Sequence, residues 1–218
     1  MRVERGLRGR QQCGAAFPPD GGPGEENQIH AGGVLTSFTL ARLRGIWYRI
    51  KYQYLLRNAV MKGTLYAHAR LEIKGPGKVV FEEDVRIMST AFGQEHVSIY
   101  LNRRESRTYI GKNVILRGTR VGCETVVDIR EGSVIEAASL FDTDFHNIDA
   151  SKRDEKDEAL AKPLTIGEGS YVGWESCIGK GASLGPRTVV LPNTVLTWKA
   201  TGPDAVLLGV PGRVWVRV

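Results

Sequence analysis

The sequence predicts an all-β solenoid of short strands with a short N-terminal helix. Three observations predict it: a six-residue repeat that runs unbroken through residues 166–201, a looser form of the same step that reaches back to Ile73, and one stretch of helical apolar spacing before it.

Residues 1–33 are rich in Gly, Arg and Gln and include Phe17-Pro18-Pro19-Asp20-Gly21-Gly22-Pro23-Gly24. Such a segment buries too little apolar surface to offset its ordering entropy, so disorder is expected. A basic helix is expected over residues 34–60. Leu40, Leu43, Trp47, Ile50 and Tyr54 recur at helical spacing, Thr36 or Ser37 can cap the start, and no acid occurs between Glu26 and Glu72. Two readings of this helix stand side by side. With Arg42, Arg44, Arg49, Lys51 and Arg57 beside the apolar stripe, residues 36–58 can lie on an anionic membrane surface, Trp47, Tyr48 and Tyr52 at headgroup level. The same helix can instead cap the end of the main domain or pack on a neighbouring subunit.

Residues 61–218 carry the repeat. Its first position is Ile166, Val172, Ile178, Leu184, Val190 and Leu196; its second is Gly in four of the six; its fifth is Ser170, Ser176, Ala182, Thr188, Thr194 and Ala200. An α-helix cannot keep a six-residue step on one face, and plain alternation would not fix the small fifth residue. A strand and a turn, repeated, do both: the aliphatic side chain fills the interior, the small residue sits near the corner, and Gly tolerates tight backbone. Earlier, Ile73, Val79, Val85, Ala91 and Val97 keep the step; Ile110 and Leu116 resume it; Ile129, Ile135 and Phe141 continue after a slip of one residue. Residues 142–164 break it and are expected to be an ejected loop, with Lys152-Arg153-Asp154-Glu155-Lys156-Asp157-Glu158 solvated.

Composition narrows the function. The chain has 218 residues, enough for one domain with an appendage, and a formal charge of +6. Residues 1–71 hold 11 basic and 4 acidic side chains, whereas residues 72–218 hold 19 and 20, so the body is neutral and a nucleic-acid partner is not expected. Apolar runs are far too short for a multi-pass membrane protein. Cys13, Cys123 and Cys177 are too few and scattered for a disulfide scaffold, and no basic-then-apolar start suggests a secretory leader. A cytoplasmic location is expected, peripheral at the inner face of the membrane if the helix binds lipid.

The hexad array resembles that of the hexapeptide-repeat acyltransferases, and among them the sugar O-acetyltransferases of surface-polysaccharide synthesis. Three further features carry the resemblance: Asp142-Thr143-Asp144-Phe145-His146-Asn147-Ile148-Asp149 looks like the family's histidine loop, the hexads after Pro163 look like its acetyl-CoA-binding coils, and Gly209-Val210-Pro211-Gly212-Arg213-Val214 looks like its ending. Two departures stand out. Ser170-Tyr171-Val172-Gly173 replaces Val-Trp-Ile-Gly, with Trp174 one residue on, and Trp198 stands where lysine is usual, with Lys199 following. The resemblance implies a left-handed parallel β-helix with three hexads per coil, a homotrimer with its site between subunits, acetyl-CoA as co-substrate, a sugar or glycan acceptor and no metal.

Acetyl transfer to a hydroxyl needs a base, oxyanion donors and an anchor for the anionic coenzyme. An imidazole titrates near neutrality, and of His30, His68, His96 and His146 only His146 lies in the family's loop. Asp144, Asp149 or Asp128, the last some 18 residues earlier and so about one coil below, can orient the ring. Gly173 follows the family pattern for a backbone oxyanion donor. Gly173, Trp174, Lys199 and Arg213, with Lys180 and Arg187 behind them, are candidates for the coenzyme. Cys177 has no paired base in sequence, so direct attack in a ternary complex is expected rather than a covalent route. The alternatives are a non-catalytic β-helix scaffold, an N-acyltransferase on an amino sugar, and a zinc lyase on the same coil, whose clustered histidines this sequence lacks.

Overall fold

The computed structural model describes residues 31–90, 96–147, 149–153, 155 and 161–217. The disorder expected of residues 1–30 and the hexad position Ala91 lie outside the described residues.

The body is a three-sided stack. The first coil is β1 (Ala59–Met61), β2 (Leu65–Ala67) and β3 (Arg70–Lys74). The second is β4 (Lys78–Phe81), β5 (Val85–Met88) and β6 (His96–Leu101); the third is β7 (Arg107–Ile110), β8 (Ile115–Arg117) and β9 (Arg120–Cys123). The fourth is β10 (Val126–Ile129), β11 (Val134–Glu136) and β12 (Ser139–Phe141), and the fifth is β13 (Leu164–Ile166), β14 (Tyr171–Val172) and β15 (Cys177–Ile178). The sixth has Ser183 bridging Thr165 and Ala200 on its first side, then β16 (Val189–Val190) and β17 (Val195–Leu196). The chain closes with β18 (Ala205–Leu208) and β19 (Arg213–Arg217). Strands of successive coils pair in parallel, giving faces β1-β4-β7-β10-β13, β2-β5-β8-β11-β14-β16-β18 and β3-β6-β9-β12-β15-β17.

The hexad logic explains the interior. Val79, Val85, Val97, Ile110, Leu116, Ile129, Ile135, Ile166, Val172, Ile178 and Val190 are wholly buried. Ser170, Ser176, Thr188 and Thr194 are buried at the corners, and the preference for small hydroxyls has a cause: Ser170 Oγ donates to the Gly185 carbonyl, Ser176 Oγ to Leu191, and Thr188 Oγ1 to Gly185. A β-carbon on Gly167 would collide with the Gly185 backbone of the next coil. Two positions depart from the expected step. In β12 the interior residue is Leu140, and Phe141 is half-buried outside, because a one-residue slip turns a strand's side chains to the other face. Ala200, in the last hexad, is exposed.

The N-terminal helix runs from Ala31 to Tyr48 as α1 and continues as a π-helical stretch, Arg49–Leu55, so it starts before residue 34 and stops short of 60. It packs along β2 of the first coil, whose open edge has no coil beneath it. Helix side chains fill that vacancy in the hydrogen-bond ladder. Tyr52 Oη donates to Leu71 O (3.0 Å) and accepts from Ile73 N (3.2 Å); Tyr48 Oη accepts from Leu71 N (3.0 Å). Gln53 Oε1 accepts from Met61 N (2.8 Å), Arg44 donates to the His68 carbonyl (3.2 Å) and Arg49 to that of Gly63. The inward face is therefore Ala41, Gly45, Tyr48 and Tyr52. The stripe singled out by helical spacing, Leu40, Leu43, Trp47, Ile50 and Tyr54, faces solvent. Tyr48 and Tyr52 stack with ring centroids 5.8 Å apart and point into the protein, not outward as a headgroup-level pair would.

Gly45 is required by close approach: a β-carbon there would overlap the Leu65 carbonyl oxygen. Gly45→Val should force the helix off the first coil and lower unfolding stability by about 1–3 kcal/mol in urea titrations, whereas Leu43→Ala, on the solvent face, should change little. Equal stability of the two variants would contradict this docking.

Candidate active site

Among the described residues the chain leaves the coil after β12, going out through Asp142 and Thr143 and returning at Ala161 and Lys162. The exit is held by Asp142, which is wholly buried. Its backbone N–H donates to Gly122 O (3.2 Å) and its carbonyl accepts from Lys162 N (2.8 Å), while Thr143 bridges Ala161, so the neck of the loop is closed. Its carboxylate takes donors that the next coil would otherwise satisfy: Oδ1 accepts from Glu124 N (2.7 Å), and Oδ2 from Thr125 N (2.7 Å) and Thr125 Oγ1 (2.8 Å). Burial, with the Asp142 carboxylate beside it, pushes the Cys123 thiol up to about 12, so it stays a neutral donor to Oδ2 (3.7 Å).

Three further anchors follow in consecutive residues. Thr143 Oγ1 donates to Glu124 Oε2 (3.0 Å) and accepts from Phe145 N (3.0 Å). The Asp144 carboxylate is ion-paired with Lys180, whose side chain is only 5% exposed. By strand register Asp142, Lys180 and Trp198 stand at successive levels of one corner; Lys180 Nζ lies 5.0 Å and Lys162 Nζ 4.0 Å from the centroid of the Trp198 ring. Phe145 adopts a left-handed backbone (φ 62°), and its ring packs edge-on to Phe141 (5.1 Å) in the space left by Gly122, where a β-carbon would strike both rings. His146 comes next, exposed, and among the described residues its ring makes no hydrogen bond or ion pair. The result is an imidazole displayed at the end of a rigidly pinned run.

The structure reassigns several candidates. Asp144 is committed to Lys180 rather than to the His146 ring. Asp149 caps the short helical turn Ala150–Lys152, accepting from Ser151 N (2.9 Å) and Ser151 Oγ (2.8 Å), which holds its carboxyl below the ordinary range. Asp128 sits on β10, where it pairs with Arg130 (3.3 Å) and borders a groove of about 680 Å³ with Tyr109, Lys112 and Glu131. The Gly173 N–H donates to Val190 O (2.9 Å) within the coil ladder, so it is not an oxyanion donor; Gly173 serves close stacking against Pro192. Lys180 is buried and paired with Asp144, and Arg187 is bidentate to Asp204 (2.6 and 2.7 Å). Burial raises the Cys177 thiol, which disfavours the thiolate a covalent route needs.

Two coenzyme candidates are brought together at the C-terminal end. Lys199 Nζ donates to the Gly212 carbonyl (3.3 Å), tying down the turn before β19. Arg213 is exposed beside Val210 and Trp215, both 71% exposed, in a groove of about 400 Å³. Trp174 lies on the turn after β14, its carbonyl accepting from Asn193 N (2.7 Å). Sequence reasoning missed Phe145, Glu124 and Thr125; only the small Gly122, just before two polar residues one coil below the loop, hints at them.

Asp142→Asn leaves an amide nitrogen facing a backbone N–H. It should cost about 1.5–3 kcal/mol in urea unfolding, and amide exchange at Glu124, Thr125 and residues 143–147 should speed up. Unchanged exchange there would show that the carboxylate does not hold the loop.

No protein-family model and no curated protein matches the chain. Solved structures do. A variant of AntD, an N-acyltransferase from Bacillus cereus, in complex with dTDP-4-amino-4,6-dideoxyglucose and coenzyme A, superposes with a TM-score of 0.56 at 14% identity, over 78% of this chain and 86% of its own. A maltose O-acetyltransferase from Clostridium difficile 630 gives 0.45 at 14% identity, over 85% and 88%. A galactoside acetyltransferase in complex with coenzyme A gives 0.43 at 18%, over 83% and 82%. Taken with the three-sided stack, the AntD superposition shows the fold to be a left-handed parallel β-helix.

Proposed function

We propose that the protein is an acetyl-CoA-dependent O-acetyltransferase acting on a sugar hydroxyl in surface-polysaccharide (O-antigen or capsule) synthesis. The observation that carries this reading is His146: an exposed imidazole with no hydrogen bond or ion pair among the described residues, placed by four consecutive anchors beside the coil. It takes the proton of the acceptor hydroxyl as that oxygen attacks the thioester carbonyl, and returns it to the departing coenzyme thiolate. The thioester supplies the activated acetyl group. The C-terminal groove suits the coenzyme: Val210 and Trp215 offer apolar surface, and Arg213 a cation for a phosphate. With Gly173 committed to the ladder, the oxyanion is left to other donors. A site open on one side fits a homotrimer in which a neighbouring chain completes it, and sedimentation equilibrium should give a mass near three chains; a monomer that turns over at full rate would exclude this assembly.

A second reading is transfer to the amine of an amino sugar. It is favoured by AntD, described as an N-acyltransferase and bound to an amino sugar nucleotide. Release of thiol from acetyl-CoA, measured with parallel panels of hydroxyl-only and amino sugars, separates the two. No release with any acceptor would favour a non-catalytic scaffold.

His146→Ala should cut turnover by roughly 10²–10⁴-fold with the KM for acetyl-CoA nearly unchanged, because only the proton transfer is lost. Turnover near that of the native chain would remove His146 from the base role.

A further inference from the structure

We propose that the outer face of α1 and its π-helical continuation seats the protein on an anionic lipid surface. This inference does not depend on the acyl-transfer reading. The docking of the helix settles which face is free: Ala41, Gly45, Tyr48 and Tyr52 are turned to the first coil, and Leu40, Leu43, Ile46, Trp47 and Ile50 are each at least 42% exposed on the other side. A surface helix normally buries its large apolar side chains and shows its polar ones; here the order is inverted.

The charge on this region selects the occupant. Residues 27–71 hold seven basic side chains and no acidic one. Among the described residues, Arg42, Arg44, Arg49, Lys51 and Arg57 pair with no carboxylate. Arg42 and Arg49 flank the apolar face on one side and Arg44 on the other, the arrangement of a helix lying in the headgroup layer. Between helix and coil lies a cleft of about 310 Å³ bordered by Arg42, Arg49 and Lys62; Lys62 is paired with Glu82 (2.7 Å) and Arg49 is tied to the Gly63 carbonyl, so Arg42 is the cation there that a lipid phosphate can meet. A second copy of the chain fits less well: face-to-face helices would oppose like charges, and the neutral body offers no complementary field. Among the described residues no helix is long and apolar enough to cross a membrane, so the contact proposed is one of lying on the surface.

The test is co-sedimentation of the full chain with phosphatidylcholine vesicles, with and without phosphatidylglycerol, at low and high salt. Binding is expected only with phosphatidylglycerol and should fade as salt screens the charges. Leu43→Gln with Trp47→Gln, and separately Arg42→Gln with Lys51→Gln, should each weaken it about tenfold or more without changing the circular dichroism spectrum. All four residues lie outside the proposed catalytic and coenzyme-binding groups, so thiol release in the absence of lipid should be unchanged. Equal pelleting with neutral vesicles, or no pelleting at all, would overturn the proposal. So would a Leu43→Gln, Trp47→Gln variant that lowers the sedimentation mass and leaves vesicle binding intact, which would make this face a contact between subunits.

Discussion

Every backbone N–H and C=O of a coil has to find its partner on the coil stacked beside it, and a stack has two ends where no next coil exists. An uncovered end is an open strand edge, a template for adding another chain. The rest of the structure follows from how these ends are closed. At the last coil β19 turns back and pairs antiparallel with β18. At the first coil side chains take over: two tyrosine hydroxyls, one amide and two guanidinium groups reach six backbone groups between Met61 and Ile73.

That solution explains why the helix was legible in the sequence and its orientation was not. Apolar periodicity assumes that the buried face is the greasy one. Here the helix must come close enough to the first coil for hydroxyls to reach its backbone, so its inner face needs small residues at Ala41 and Gly45 and polar tips at Tyr48 and Tyr52. The large apolar residues are thereby turned outward. Nothing in the spacing distinguishes a tyrosine that snorkels to lipid from one that caps a ladder; only the position of the unpaired strand does.

The coils themselves were readable because their constraint is local. An aliphatic residue inside and a small residue at the corner recur along the stacked hexads, and the run from Ile166 to Leu196 keeps the step without a slip. Legibility fails where the loop leaves, since a slip of one residue reverses inside and outside: Leu140, not Phe141, fills the interior. The freed Phe141 then becomes half of the aromatic pair that seats Phe145. The histidine motif was visible as a string, but the division of labour within it was not, because the partners of Asp142 and Asp144 lie on other coils.

That division bears on how a catalytic group can be held precisely on a loop. Asp142 is tied to the coil below, through the amides of Glu124 and Thr125, and Asp144 to the coil above, through Lys180. Lys180 is almost wholly buried beneath Trp198 while Asp144 is partly exposed, so loss of Asp144 would leave a buried ammonium charged and unpaired. The loop is therefore stapled across the very gap in the ladder that its exit creates, and His146 follows the last staple by two residues. His146, the proposed base, thereby inherits the rigidity of the stack rather than the freedom of the loop, and among the described residues nothing pairs with its imidazole.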